Sequence, residues 1–285
     1  MRIYVLAATT ALMAAPAFAA DTFVPPPADP VPVYHKDMRG SKNYWDGLYL
    51  KGQIGYLWND FRGATYAVTG GTNHLSGELD DSWFAGVGVG YQINPYLRTE
   101  LMFDYMFDTD FTGSTVGQCG AGGVFPLVDC TSTDTTTWNA YTLMASVYVD
   151  LDFWSHKSAW GHIVPFVGGG IGGTYGSWDT LSNVACQVAN PTICEEIYHE
   201  GDSDWRFAWQ VEAGAAYYFR CDFAGEASYR YRRIHGGPMF GYAASTGPGY
   251  DDGLEVQSVN LGLRYYPGRD CTPEVHIPPA PVVYK

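Results

Sequence analysis

The chain reads as all-β, an antiparallel up-and-down transmembrane β-barrel of about eight strands. Three observations predict it. Segment after segment alternates with a period of two, one parity apolar and the other rich in glycine, amides and charges. Apart from a short apolar run near the N-terminus, no stretch reaches the about 18 uninterrupted apolar residues of a membrane helix. The connections alternate long and short, which puts four longer loops at one end and three brief turns at the other.

Ser82 to Ile93 shows the pattern most clearly. Trp83, Ala85, Val87, Val89, Tyr91 and Ile93 share one parity; Ser82, Phe84, Gly86, Gly88, Gly90 and Gln92 share the other. A helix would mix the two sets. Glycine is costly inside an ordinary strand, but it fits a strand curving around a crowded interior. Apolar residues on the opposite face, with aromatics near both ends, are what lipid contact requires.

Composition agrees. Aromatics make up 16% of the chain, with 34 glycines, while charged residues are only 16%, below the about 25% of soluble domains. A formal net charge of −14 makes nucleic acid an unsuitable partner. Solvated acidic loops account for it.

The chain divides into four stretches. Residues 1–19 hold Arg2, an apolar run from Ile3 to Met13 and a small-x-small Ala17-Phe18-Ala19 site, the pattern of a secretory signal peptide. Residues 20–44, with Pro25-Pro26-Pro27 and Pro30-Val31-Pro32, read as an extended periplasmic lead-in. Residues 45–267 form the barrel, and 268–285 a proline-rich periplasmic tail.

Taken in order, the first strand runs from about Trp45 to Trp58, with Leu48, Leu50, Ile54, Tyr56 and Trp58 outward and Tyr49, Lys51 and Gln53 inward. Asn59 to Asp80 is a loop. After the Ser82 strand, Asn94-Pro95 turns into Tyr96–Phe107, where Leu97, Leu101, Phe103, Tyr105 and Phe107 oppose Arg98, Glu100, Met102, Asp104 and Met106. A long loop to about Thr136 precedes a strand through Tyr141, Leu143, Ala145, Val147, Val149 and Leu151. His162 to Ser177 follows, its phase blurred by Gly168-Gly169-Gly170 and Gly172-Gly173, with Ile163, Val167, Ile171 and Tyr175 assigned outward. A loop from Trp178 to about Ser203 leads into Asp204–Phe219, then a short turn and Ala224 to about Arg233. The loop His235–Asp252 and the closing strand Glu255–Tyr266 complete the sheet.

The inward parity collects Lys51, Arg98, Glu100, Asp104, Arg206, Glu212, Glu226, Arg230, Arg232 and Arg264. Buried charges need partners or water. Two readings are open: a charge-tuned solute channel, or an ion-pair network filling a narrow barrel. Eight strands leave an interior about wide enough for side chains, which favours filling. A soluble carrier barrel would instead place apolar residues inside.

Six cysteines fall into neighbouring pairs: Cys119 with Cys130, Cys186 with Cys194, and Cys221 with Cys271. Those pairings join only residues on the same side of the membrane, and an exported chain meets an oxidising compartment. No paired Cys-x-x-Cys spacing marks a metal site, and no Gly-x-Ser-x-Gly elbow marks a nucleophile. The reading is therefore non-enzymatic, with no cofactor.

Trp45-Asp46-Gly47-Leu48-Tyr49, then Gly52, Gly55 and Tyr56, together with the closing Ser258-Val259-Asn260-Leu261-Gly262-Leu263-Arg264-Tyr265-Tyr266, resemble the porin-family outer-membrane β-barrel proteins of alphaproteobacteria. That family has an OmpA-like transmembrane fold and includes surface antigens. The resemblance implies a Gram-negative outer membrane, lipid and lipopolysaccharide as surroundings, periplasmic termini and assembly by the barrel assembly machinery. Members usually end at an aromatic closing the last strand, whereas this chain continues past Tyr266 to Lys285. Some relatives are described as hemin-binding, and His74, His199 and His235 fall in three different long loops, so hemin or a host surface stands as an alternative partner. The leading expectation is a structural envelope barrel presenting surface loops; a narrow porin is the other alternative.

Overall fold

The computed structural model describes residues 47–68, 71–120, 127–152, 156–158, 161–243 and 246–269. The signal-peptide, lead-in and tail expectations, and Cys271, lie outside the described residues. The strands, in chain order, begin with β1 (Leu48–Phe61), β2 (Ala64–Val68), β3 (Gly71–Leu79), β4 (Ser82–Asn94), β5 (Leu97–Ser114), β6 (Val116–Cys119), β7 (Val128–Asp150) and β8 (His156–Ser158). They continue with β9 (Gly161–Trp178), β10 (Leu181–Gln187), β11 (Cys194–His199), β12 (Ser203–Tyr218), β13 (Phe223–Ile234), β14 (Gly237–Phe240), β15 (Thr246–Asp251) and β16 (Leu254–Tyr265).

Eight of these strands make the barrel wall. β1, β4, β5, β7, β9, β12, β13 and β16 each pair antiparallel with the next. β16 then returns to β1, from Leu50 opposite Tyr265 to Phe61 opposite Leu254. Closure satisfies every edge, the condition for backbone facing lipid. Side chains alternate as the parity predicts: Lys51 and Gln53 are buried, while Ile54, Val87, Leu101, Val211 and Leu261 lie exposed on the outer wall. Aromatics flank this aliphatic band, with Tyr91, Tyr96, Tyr217 and Tyr265 toward the short turns and Trp58, Trp83 and Trp205 toward the long connections. The phase of β9 is also resolved: Ile163, Val167 and Ile171 face out.

Glycines line β4 and β9 because side chains from the neighbouring strands occupy their inner face. A Cβ on Gly90 would run into the Tyr49 ring, and one on Gly168 into the Tyr148 ring. Two other glycines have positive φ, Gly63 at 99° and Gly253 at 88°. They sit where the chain leaves β1 for β2 and returns from β15 to β16. The two corners bond each other, Asp252 N to the Gly63 carbonyl at 2.8 Å and Arg62 N to the Gly253 carbonyl at 3.2 Å.

The four long connections depart from expectation, which treated them as loops. They contain β2 and β3, β6, β10 and β11, and β14 and β15, while β5 and β7 run on past the barrel. β3 pairs with upper β5, β10 with upper β7, and β2, β3, β14 and β15 join in a sheet. The Gly201–Phe240 bridge links the β11 side to β14. The result is a second closed ring, a crown above the barrel at the long-connection end. The inward parity of β7 runs unbroken from Cys130 to Asp150, so one strand serves both rings.

Candidate functional site

The interior has three tiers, each built from the inward parity. Nearest the short turns, Glu226 meets Lys51 at 2.7 Å, Arg264 at 2.6 Å and Arg98 at 3.4 Å. Glu100 takes Lys51 at 3.1 Å, the Tyr49 hydroxyl at 2.7 Å and the other face of Arg98. Asp150 accepts from Arg98 Nε at 3.0 Å and from Gln92 at 3.0 Å. The Arg98 guanidinium also lies 4.1 Å from the Tyr148 ring centroid and 4.6 Å from that of Phe166, a geometry that favours the cation.

Slightly higher, Asp104 accepts from Arg232 at 2.6 Å and from Gln53 at 2.6 Å, with Arg230 at 3.4 Å. Glu212 takes Arg230 at 2.9 Å, the Tyr148 hydroxyl at 2.9 Å and Ser228 at 2.6 Å. Lys51, Arg98, Arg230, Arg232 and Arg264 thus face Glu100, Asp104, Asp150, Glu212 and Glu226, all buried. The charges balance one for one. A desolvated set of ions is tolerated only with such pairing and hydrogen bonding.

The second tier is apolar, and here the expectation of a polar interior needs correction. Leu57, Phe61, Phe84, Met106, Phe111, Trp138, Met144, Trp178, Ile234 and Leu254 form one buried cluster. Phe61 stacks edge-on against Phe111 at 4.8 Å between centroids, and Trp178 lies 5.7 Å from Phe111 and 6.2 Å from Trp138. Toward the long connections the barrel can be filled by hydrophobic side chains because the crown shields them from water. Arg206, predicted inward with the other charges, belongs to the upper margin of this tier. It pairs with Asp251 at 2.7 Å and donates to the Pro238 carbonyl at 2.6 Å. Trp178 Nε1 donates to the same carboxylate at 3.1 Å, and burial raises the Asp251 pKa although Arg206 opposes the rise.

The third tier is the crown interior, a cavity of ≈ 40 Å³ lined by Tyr66, Leu75, Thr115, Asp134, Asn183, His199, Phe240 and Thr246 among others. Asp134 is held by Ser132 at 2.8 Å and by Asn183, and burial raises its pKa. His74 and His235 are exposed, whereas His199 is buried in the crown. The three histidines therefore do not converge. Among the described residues no group of three His, Cys, Asp or Glu side chains is arranged to hold a metal ion.

Disulfides join Cys119 to Cys130 and Cys186 to Cys194, both in the crown. Several interior partners were missed by sequence reasoning. Asp150 shares the inward parity of Tyr148 and could have been read from it. Asp251 lay inside a segment taken as loop and carried no such signal.

A closed eight-stranded wall with a lipid-compatible exterior and a filled interior defines a transmembrane β-barrel of the outer-membrane class. The chain belongs to the outer membrane protein beta-barrel domain family, which it matches over residues 5–266. It is 32% identical over 250 residues to an uncharacterized protein of Brucella abortus strain 2308, covering 77% of this chain and 84% of that one. An uncharacterized Brucella suis protein matches at 32% over 252 residues, with the same coverage. Among solved structures, Neisserial surface protein A is similar at 14% identity and a TM-score of 0.38, over 77% of this chain and 97% of that one. Outer membrane protein OprG from Pseudomonas aeruginosa is similar at 12% identity and a TM-score of 0.46, over 77% and 96%. The family is one of the Gram-negative outer membrane.

Proposed function

We propose that the protein is a sealed structural barrel that anchors a rigid crown at the cell surface, with lipopolysaccharide around it and both chain ends on the periplasmic side. The observation that carries this reading is the stacking of a charge-balanced ionic tier beneath an aromatic one. The ten ionic groups neutralise one another, so they offer no net field to draw a solute inward. Above them, the Phe61, Phe111, Trp138 and Trp178 rings fill the bore where a water column would have to pass. The crown disulfides and ladders support presentation of a fixed surface, and the polypeptide performs no chemistry of its own in this role.

The test is single-channel recording of the refolded protein in planar bilayers. A sealed barrel leaves the bilayer at its baseline conductance. Regular, reproducible conductance steps from the wild-type protein would overturn the reading in favour of a narrow porin.

A further inference from the structure

Among the described residues, the crown closes by ladders of paired residues except at one seam. Between β11 and β14 there is a single bridge, Gly201 with Phe240, flanked by Gly241 N to the Glu200 carbonyl at 2.8 Å and Asp202 N to the Met239 carbonyl at 3.2 Å. His199 spans this seam with both ring nitrogens. Its Nδ1 lies 3.3 Å from the Gly241 carbonyl oxygen and its Nε2 3.2 Å from Thr246 Oγ1. A carbonyl only accepts, so Nδ1 carries the proton and Nε2 accepts from the Thr246 hydroxyl. The ring also packs on Phe240, 4.7 Å between centroids. The residue is only 4% exposed.

We propose that His199 is an acid-released latch: protonation of its ring opens the β11–β14 seam and exposes the crown cavity, while the transmembrane barrel beneath stays closed. Protonation turns Nε2 from acceptor to donor, so the Thr246 hydroxyl must rotate from donating to accepting, and it places a cation among Leu75, Leu181 and Phe240, where desolvation disfavours it. The titratable groups facing the ring are Asp134 of β7 and Tyr66 of β2; β3, β10, β14 and β15 present Leu75, Leu181, Asn183, Phe240 and Thr246, which carry no charge. Burial lowers the His199 pKa, outweighing the Gly241 carbonyl and the attraction of Asp134. A folded-state pKa below the unfolded one means the latch is intact above the ordinary imidazole value of about 6.5 and weakens as pH falls from there toward the lowered value. Asp134 works in the opposite sense. Its pKa is raised, so its own protonation in acid removes a buried charge and opposes opening.

The experiment is amide hydrogen exchange on the full protein in lipid nanodiscs, read at Gly241 and Asp202 and corrected for the intrinsic pH dependence of exchange. The opening constant at these two amides should rise by up to about tenfold per pH unit below about 6.5 and then level off, with β1–β16 ladder amides unchanged. His199→Gln keeps one donor and one acceptor without titrating, and should hold the seam at neutral pH while abolishing the acid response. Asp134→Asn should retain the response. The inference fails if wild-type seam amides show no acid response, or if His199→Gln keeps it. If His199→Gln is already open at neutral pH, the wild-type ring resonance decides: a midpoint below the ordinary value supports the latch, one at or above it overturns it. The outcome does not depend on whether the barrel conducts.

Discussion

Replacing Glu226 by Gln removes one charge and almost no volume from the ionic tier, so its effect reads the electrostatics of the filling directly. Glu226 is the shared partner of three cations. Without it Lys51 keeps Glu100 at 3.1 Å, and Arg98 keeps Glu100 and Asp150. Arg264, 2.6 Å from Glu226, would keep an amide oxygen in that place and the Tyr266 hydroxyl at 2.9 Å, but no carboxylate. One fully buried guanidinium thus loses its counter-ion, a change that costs about 3–5 kcal/mol when a buried pair is broken from one side. Urea unfolding in lipid vesicles, followed by tryptophan fluorescence, should show that loss. Adding Arg264→Met removes the stranded cation, so the double variant should recover about 0.5–3 kcal/mol relative to additivity. A Glu226→Gln midpoint within about 0.5 kcal/mol of wild type, the scatter of surface changes, would refute the claim that the tier is a desolvated, mutually dependent network.

Two further predictions concern the wall. Gly172→Ala would drive a Cβ onto the Leu143 backbone carbonyl, which cannot swing aside, and should cost about 1–3 kcal/mol; Gly52→Ala meets nothing within 4 Å and should unfold like wild type in the same assay. Leu261→Arg sets a cation on the exposed aliphatic band and should lose about 2–4 kcal/mol in vesicles if that band lies at the bilayer midplane, with no such loss expected for Asp60→Asn in the solvated upper part of β1.

The barrel wall was legible because lipid and interior impose opposite demands on alternate residues. Leu101 and Phe103 against Arg98, Glu100 and Asp104 leave no second way to phase a strand. Even Gly168–Gly173 follows the same rule, with Ile171 and Val167 fixing its phase. The crown was not legible. Strand segments such as Thr131 to Thr137 are wet on one face and bury only Ser132, Asp134 and Thr136 on the other, so the sequence alternates in burial without alternating in hydrophobicity. The aromatic tier fell between these cases. Phe84 and Met106 carried inward parity, but nothing in the sequence showed that the crown would close above them and let the upper barrel be filled like a soluble core.

With the crown at the cell surface, as proposed above, it also determines what an antibody would meet. Its neighbours in space come from distant parts of the chain: Tyr250 sits beside Thr65, and Ala185 beside Ser132. Immunogens cut as linear peptides from any one connection keep at most its own hairpin, such as β10 with β11, and lose the strands from elsewhere in the chain that pair with it and set its shape. Sera raised against the folded protein should recognise it far better than sera raised against such fragments, and denatured protein should compete poorly for them.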